Sequence, residues 1–255
     1  MREGTNQEER HERTLLRLGA VSAVLGTLAN VVASAGHGDL PETGTHAALS
    51  FVAERDTWSL VHLTSIFAVL LWLVAFVALS GSMSRGASWL LARFGIASIL
   101  VGAAVHVVFF SIDGYALKGT ADAWAAASGS ERESLLRAGD LVLLLQESQF
   151  VSAIILVLGL PFLLFGLSVA FSSAYPTWLG WVGATAGAGA LFTGVTRFVR
   201  LELVPDPVLF GVFGMGVSLW MAAIGTLMWK RAGKLPRADI KASHDLHDKV
   251  NASSP

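Results

Sequence analysis

Long apolar runs alternate with short polar segments along most of this chain. The run that begins at Trp58 continues almost without a polar break to residue 79, and a Ser-, Gly- and Arg-containing turn then leads into a second run from Trp89. A hydrocarbon core of about 30 Å needs roughly 20 helical residues, so this pattern predicts a transmembrane hairpin. Read in the same way, the whole chain predicts six spans: 15–35, 58–79, 89–112, 141–171, 178–198 and 207–229.

These runs predict an all-α fold, a polytopic bundle of six transmembrane helices over residues 14–231. Residues 1–13 are polar and mixed in charge, and we interpret them as a cytoplasmic tail. Residues 232–255 lack apolar periodicity and predict a disordered cytoplasmic tail. One alternative remains open, because the first apolar run ends in Ala33-Ser34-Ala35, which is typical of a signal-peptide cleavage site, so residues 1–35 are also compatible with a cleaved signal.

Two of the predicted loops are long. In the loop over 36–57, Thr45 is placed to cap a short helix over 46–54. In the loop over 113–140, Ser130 and Glu133 have the spacing of a capping box, which predicts a helix that starts near Glu131 and runs into the fourth span. Pro161, near the middle of that span, predicts a kink.

Basic residues predict the orientation, since cytoplasmic loops carry an excess of Lys and Arg. With the N-terminus inside, twelve of the 18 Lys and Arg residues lie on the inner side and six on the outer side. The sequence therefore predicts a multi-pass protein of the plasma membrane with both termini cytoplasmic. Both long loops then lie on the outer side.

Composition supports the membrane class and excludes several functions. The chain is 53% hydrophobic and 15% charged, with a mean hydropathy of +0.60, whereas a soluble domain carries about 25% charged residues. A net charge of -1 argues against a nucleic-acid partner. The chain has no cysteine, which excludes disulfides, thiolate metal sites and cysteine nucleophiles. No catalytic signature is present, so we assign no catalytic residue and leave open whether the protein is an enzyme.

Ionisable side chains inside the predicted spans are the candidate functional residues, because a charge in hydrocarbon costs about 2.5–3.5 kcal/mol on insertion scales. Each of four spans carries one such residue in its outer half, and two aspartates lie just above them. The resulting prediction is an outward-facing polar pocket that binds or transports a small molecule or ion, formed by His62, His106, Glu147, Arg197, Asp113 and Asp140.

Three alternatives stay open for these residues. His62, His106 and Glu147 have ligand types that suit a divalent metal, as in a membrane enzyme or electron carrier. The two histidines alone are also compatible with axial haem ligation. In a purely structural or accessory protein, Glu147 pairs with Arg197 and the histidines only pack.

The expected partners and cofactors follow from these interpretations. The lipid bilayer is the expected partner, a small-molecule ligand and a homo-oligomer are compatible with the chain, and we expect no cofactor unless the metal or haem alternative holds. His37 and His46 fall in the first long loop, where we expect them to be solvated.

The order of features resembles a bacterial family of six-span integral membrane proteins of unknown function. The resemblance rests on the long loop after the first span, the W-x-x-x-H pattern of Trp58 and His62, the Ser-rich inner turn, and Trp178-Leu179 at the start of the fifth span. It covers about residues 14–231. It implies the fold and a membrane location, and it implies no activity and no catalytic residues.

Overall fold

A computed structural model describes residues 2–201 and 206–235, with side chains described over 7–201 and 210–235. Within these residues the chain is all-helical and forms no strand, which confirms the predicted fold class. The elements are α1 (Arg2–His37), α2 (Thr45–Ala53), α3 (Trp58–Gly81), α4 (Gly86–Ser111), a π-helical segment (Ile112–Leu117), α5 (Lys118–Ala126), α6 (Gly129–Ala153), a second π-helical segment (Ile154–Gly159), α7 (Leu160–Ala170), α8 (Thr177–Phe198) and α9 (Asp206–Lys234).

Five helical stretches in the described part of the chain are long and apolar enough to cross a membrane. They are Gln7–His37, Trp58–Gly81, Gly86–Ala126, Gly129–Ala170 and Phe210–Lys234. Large apolar side chains on their outer faces are exposed, for example Val32 at 66% and Leu60 at 63%. An exposed apolar surface of this kind is typical of helices that face lipid, so the chain has the character of a multi-pass membrane protein.

The sixth predicted span, α8, is not among the five stretches. Its 22 residues include five glycines, four threonines and Arg197, which lower its mean hydropathy. The glycines let α8 lie directly on its neighbour, because a Cβ atom at Gly180 would be 2.2 Å from the backbone nitrogen of Ala170. At the other end, a Cβ at Gly194 would be 2.6 Å from the Ile155 side chain. The helix therefore runs antiparallel to the Gly129–Ala170 stretch from one end of α8 to the other.

Aromatic side chains fill the centre of the bundle. Phe162 of α7 contacts Trp72 and Phe76 of α3 and Trp220 of α9 edge to face, with ring centroids 5.2–5.7 Å apart. Phe165 stacks on Phe76 at 4.4 Å. All of these side chains are buried. Since edge-to-face and offset pairs add about 0.5–1.5 kcal/mol each beyond their burial, this cluster holds α3, α7 and α9 together.

A second, smaller core lies at the end of the bundle where α3 begins and α4 ends. It contains six buried residues: Leu49, Val52, Trp58, Leu117, Ala121 and Trp124. We call α2 and α5, which supply most of them, the cap. The predicted short helix is present as α2, although its N-cap is Gly44, and Thr45 instead donates its hydroxyl to the Asp140 carboxylate of α6. That hydrogen bond joins the cap to α6.

The second long loop was predicted wrongly in its first half. Residues 113–126 continue the helix of α4 through a π-helical segment into α5, so Asp113 is helical and buried rather than in a loop. The helix predicted near Glu131 begins at Gly129, after Ser128, and runs on into the fourth predicted span. The predicted capping box is absent, because the N-cap residue is Ser128 and Ser130 lies within the first turn of the helix. This helix starts in the turn after α5, where Gly129 has a φ of 58°.

Pro161 is accommodated by a local change of helix type. Proline has no N–H to donate and its ring crowds the preceding turn. The π-helical segment Ile154–Gly159 lies directly before α7, in which Pro161 occupies the first turn. The structure thus has a change of helix type just before Pro161, and the predicted kink itself stays a prediction. Residues 2–13, predicted as a separate tail, are the first turns of α1. The C-terminal tail was predicted over 232–255, but residues 232–234 are the last residues of α9, and residues 236–255 lie outside the described residues.

Candidate metal centre

A buried polar cluster joins α1, α3 and the first π-helical segment beneath the cap. The Nε2 atom of His62 lies 3.2 Å from Oδ2 of Asp113, and Nε2 of His37 lies 3.6 Å from the same oxygen. Gln146 of α6 donates its side-chain N–H to that oxygen at 3.2 Å. His62 is 1% exposed, Asp113 is 0% exposed and the His37 side chain is 27% exposed. The cluster is thus buried except along one edge of His37.

The local backbone explains why His37 turns inward. His37 is the last residue of α1, and Gly38 follows with a φ of 66°, the left-handed conformation that commonly ends a helix. His37 Nδ1 bonds to the Gly38 carbonyl at 2.5 Å, and the His37 ring lies 4.7 Å from that of Trp58. The end of α1 therefore presents one imidazole toward α3. Residue 37 was predicted to be solvated in a loop, and that prediction was wrong.

The π-helical segment brings Asp113 against α3. A Cβ atom at Gly114 would lie only 2.3 Å from the His62 Cβ, so glycine is required for this approach. The indole N–H of Trp58 donates to the Asp113 carbonyl at 2.9 Å, and the Ser59 hydroxyl donates to the Gly114 carbonyl at 2.7 Å. Segments with π-helical geometry occur often at functional sites. Here the segment aims the Asp113 carboxylate at the two imidazoles.

The hydrogen bonds determine which ring nitrogens are available. His62 Nδ1 faces the Trp58 carbonyl at 2.6 Å, and His37 Nδ1 faces the Gly38 carbonyl. A carbonyl oxygen only accepts hydrogen bonds, so each Nδ1 must carry the hydrogen. In a neutral imidazole the other nitrogen, Nε2, then has a free lone pair. If both imidazoles are neutral, their Nε2 lone pairs face the Asp113 Oδ2 atom, an arrangement that needs a proton or a metal ion between nitrogen and oxygen.

Two buried atoms of the cluster lack a hydrogen-bond partner among the described residues. They are Asp113 Oδ1 and His62 Nε2, and the latter makes only the 3.2 Å contact with Asp113 Oδ2 described above. Leaving a buried polar atom unpaired costs about 1–3 kcal/mol, and more for a charged group. A group that satisfies both atoms would remove this cost. One ligand atom from each of His37, His62 and Asp113 falls within 4.8 Å of the others, which is compatible with a bound metal ion.

The other residues predicted from the sequence lie elsewhere. Glu147 is paired with Arg197, whose Nη2 and Nε atoms donate to Oε1 at 2.7 and 3.0 Å. The two side chains are 48% and 28% exposed. His106 packs edge to face on Phe110 at 4.5 Å, and it belongs neither to this pair nor to the cluster.

Of the six candidate residues, the structure brings together His62 and Asp113, and separately Glu147 and Arg197. Asp140 accepts its bond from the cap and is exposed. The sequence-based reasoning missed His37 and Gln146, which complete the cluster. A histidine at the end of the first apolar run and a glutamine one position before Glu147 were the available signals. His46 is exposed as predicted, but it lies in α2 rather than in a loop, and its ring contacts that of Trp124.

Comparisons with protein-family models, with curated proteins and with solved structures find no match to this chain. The family resemblance of the sequence therefore rests on its motifs alone. The five apolar helices support a membrane protein, and the bacterial six-span assignment gains no support from a family match.

Proposed function

We propose that this chain is a membrane protein that binds one divalent transition-metal ion at His37, His62 and Asp113. The observation that carries the proposal is the pair of fixed imidazoles, whose Nε2 lone pairs both face one buried carboxylate oxygen. A ligating histidine usually donates its other N–H to a carbonyl or carboxylate, which fixes the ring and raises its basicity. Both histidines have this second bond, to Gly38 and Trp58.

The distances suit such an ion. With metal–ligand bonds of about 2.0–2.2 Å, neighbouring ligand atoms lie about 3.0–3.5 Å apart in octahedral to tetrahedral geometry. The two N–O separations of 3.2 and 3.6 Å are close to this range. Imidazole and carboxylate ligands suit Zn²⁺ and similar ions. Gln146 supports the ligand set from outside by holding Asp113 Oδ2 in place.

Three protein ligands leave a zinc-like ion with at least one open position, as in sites where water or a second ligand binds. His37 is the ligand with an exposed edge, so exchange with the surroundings takes place on its side of the cluster. Its place at the carboxyl end of α1 adds to the attraction for a cation, because the helix dipole is negative there.

We further propose six spans, with α8 as the additional one and both termini cytoplasmic in the plasma membrane. The full-length antiparallel packing of α8 on the Gly129–Ala170 stretch supports the added span. The excess of basic residues on the inner side supports the orientation, and it puts the cluster and the cap on the outer side. A topology reporter fused after Pro255 tests this arrangement, since an outside signal would reverse the orientation and place the cluster on the cytoplasmic side.

Metal titration of the purified protein tests the binding site. Protein stripped with a chelator in detergent is titrated with Zn²⁺ by calorimetry and with Co²⁺ by visible absorbance. We expect one ion per chain, and strong loss of binding in His37→Gln and His62→Gln. The matched controls are His106→Gln, a histidine within the bundle, and His46→Gln, a histidine of the cap, which should bind like the wild type.

The outcomes separate the alternatives. No binding by folded wild-type protein, or equal losses in the cluster and control variants, would overturn the metal site. His37→Gln is the most informative variant, because its side chain is part-exposed and its replacement leaves the buried His62 and Asp113 untouched. A haem absorption band in the purified protein would instead favour the haem alternative.

A further inference from the structure

A groove on the lipid-facing surface lies between α1 and α9, far from the metal cluster. Val21, Val24 and Leu25 line it from α1, and Thr226 and Trp229 line it from α9. Its volume is about 340 Å³, at the lower end of the range for small-molecule sites. Both walls belong to stretches that are apolar enough to cross a membrane. The groove therefore faces lipid rather than water.

Small residues form the floor and explain why the groove exists. Ala20 is 3% exposed, and a Cβ atom at Gly225 would lie 2.8 Å from the Ala23 Cβ. The two helices touch closely there, while the larger side chains on either side stand out as walls. Val21, Val24 and Leu25 are 39–49% exposed, so the walls are open along their length. An extended apolar chain fits between them.

One end of the groove carries positive charge. The Arg17 guanidinium lies 5.6 Å from the centre of the Trp229 ring, and Trp229 is 53% exposed. Lys230 follows Trp229, is exposed, and lies four residues from Thr226, so it is on the groove side of α9. Neither Arg17 nor Lys230 forms an ion pair with a carboxylate in the described part of the chain.

Helix direction places both cations at the same end. Arg17 is four residues before Val21 on α1, and Lys230 is four residues after Thr226 on α9. The helices run antiparallel, since Glu12 near the start of α1 pairs with Arg231 near the end of α9. Both charges therefore lie at the same end of the groove, beside the exposed Trp229, a residue type common at membrane interfaces.

From these observations we propose that the groove binds a glycerophospholipid with an anionic headgroup. The headgroup phosphate binds between Arg17 and Lys230, and one acyl chain lies along Val21, Val24 and Leu25 over the small-residue floor. The two positive charges favour anionic over zwitterionic lipids, because each basic residue near an anionic headgroup increases the affinity about fivefold. The apolar walls supply contact area for the chain and no discrimination between headgroups.

Quenching of Trp229 by brominated lipids tests the proposal. The purified protein is reconstituted in phosphatidylcholine vesicles that contain increasing fractions of brominated phosphatidylglycerol or brominated phosphatidylcholine. The signal of Trp229 is isolated by subtracting the Trp229→Phe variant. We expect Trp229 to be quenched at about fivefold or more lower fractions of the anionic lipid, and this preference to disappear in Arg17→Gln/Lys230→Gln.

The chain offers a matched control. Arg93 lies 5.4 Å from the ring of Trp89 on α4, and both side chains are exposed, but they do not line this groove. The Arg93→Gln variant should keep the preference at Trp229. The Val24→Trp variant fills the groove without changing any charge and should lose quenching by both lipids, as judged from the difference between this variant and its Trp229→Phe derivative.

Several results would overturn the proposal. Equal quenching of wild-type Trp229 by both lipids would show that the groove does not select anionic headgroups. Loss of the preference in Arg93→Gln would show that the overall surface charge, not this groove, attracts the lipid. Protection of Trp229 from both lipids, together with a dimer on cross-linking, would show that a second copy of the chain covers the groove.

Discussion

Replacing Asp113 by asparagine keeps the size of the side chain and removes its charge from a position that is 0% exposed. The asparagine side chain can still accept the hydrogen bond of Gln146, so the fold of the π-helical segment should persist. The metal site loses its single anionic ligand. The predicted result is a large loss of metal affinity with a folded protein.

The expected loss of metal affinity can be estimated from the hydrogen bonds around Asp113. Gln146 is hydrogen-bonded to the ligand Asp113 and is not itself a proposed ligand, and removal of such outer partners typically lowers metal affinity about 10–100-fold. Loss of a direct ligand should lower the affinity further. We therefore expect Asp113→Asn to weaken metal binding at least about 100-fold, or by about 2.7 kcal/mol. We expect about 10–100-fold for Gln146→Leu. His106→Gln should change the affinity by less than about twofold, since His106 is not part of the cluster.

Thermal unfolding with and without Zn²⁺ measures the same series independently of titration. At a free metal concentration 100 times the wild-type Kd, binding stabilises the folded wild type by about 2.7 kcal/mol. A variant with 100-fold weaker binding would gain only about 0.4 kcal/mol under the same conditions. Unfolding in chelator serves as the control for folding. If Asp113→Asn binds Zn²⁺ as tightly as the wild type while Gln146→Leu does not, the carboxylate is no ligand and the proposed coordination is wrong.

Three further predictions concern the rest of the bundle. Glu147→Gln and Arg197→Met should each destabilise the protein, and the double variant should be less destabilised than the sum by about 0.5–1 kcal/mol, as for a partly exposed pair; additive effects would exclude a pairing role. Gly166→Leu should destabilise by more than about 3 kcal/mol, because its Cβ would lie 2.1 Å from a backbone nitrogen of α8, whereas Gly214→Leu, with open space around it, should be nearly neutral in urea unfolding. The buried Tyr175 hydroxyl is hydrogen-bonded to the Ser82 hydroxyl at 2.9 Å, and burial raises the pKa of Tyr175 above its ordinary value. The neutral hydroxyl therefore contributes its hydrogen bond fully below about pH 10, and this contribution is lost as pH rises through the raised pKa. Tyr175→Phe should therefore cost about 1 kcal/mol at pH 8, and the difference from wild type should shrink at higher pH; a constant difference would contradict this account.

Much of the architecture was predictable because it depends on local composition. Uninterrupted apolar runs of about 20 residues predict membrane helices wherever they occur, and five of the six predicted runs are helices of that kind. The sixth, α8, is less apolar because many of its positions are threonines or glycines, and several of the glycines allow close helix packing. Residues 113–126 of the loop predicted over 113–140 were predicted wrongly for a related reason. Their polar residues suggested a loop, but burial of Leu117 and Trp124 against α2 and α3 keeps the segment helical.

The residues of the metal cluster were only partly recognisable in the sequence. His62 and Asp113 were recognisable in the sequence because a polar side chain in or beside an apolar run is costly and needs an explanation. His37 was not, since it follows the first run and no local pattern indicates that it turns inward. The expected grouping of His62 with His106 and Glu147 rested on similar depth in the membrane. Depth alone does not determine which way a helix turns its side chains.

By itself, the sequence determined the helical class, the membrane character and the short set of polar residues that such a bundle must accommodate. These follow from the cost of exposing apolar side chains to water and polar groups to hydrocarbon, and each residue carries that cost wherever it lies. Only the tertiary structure decided which polar residues meet. Three local features bring His37, His62 and Asp113 together. They are the left-handed turn at Gly38, the π-helical segment that contains Asp113, and the close contact of Gly114 with α3. The resulting positions of the three side chains depend on contacts between residues far apart in the chain, which no local pattern specifies.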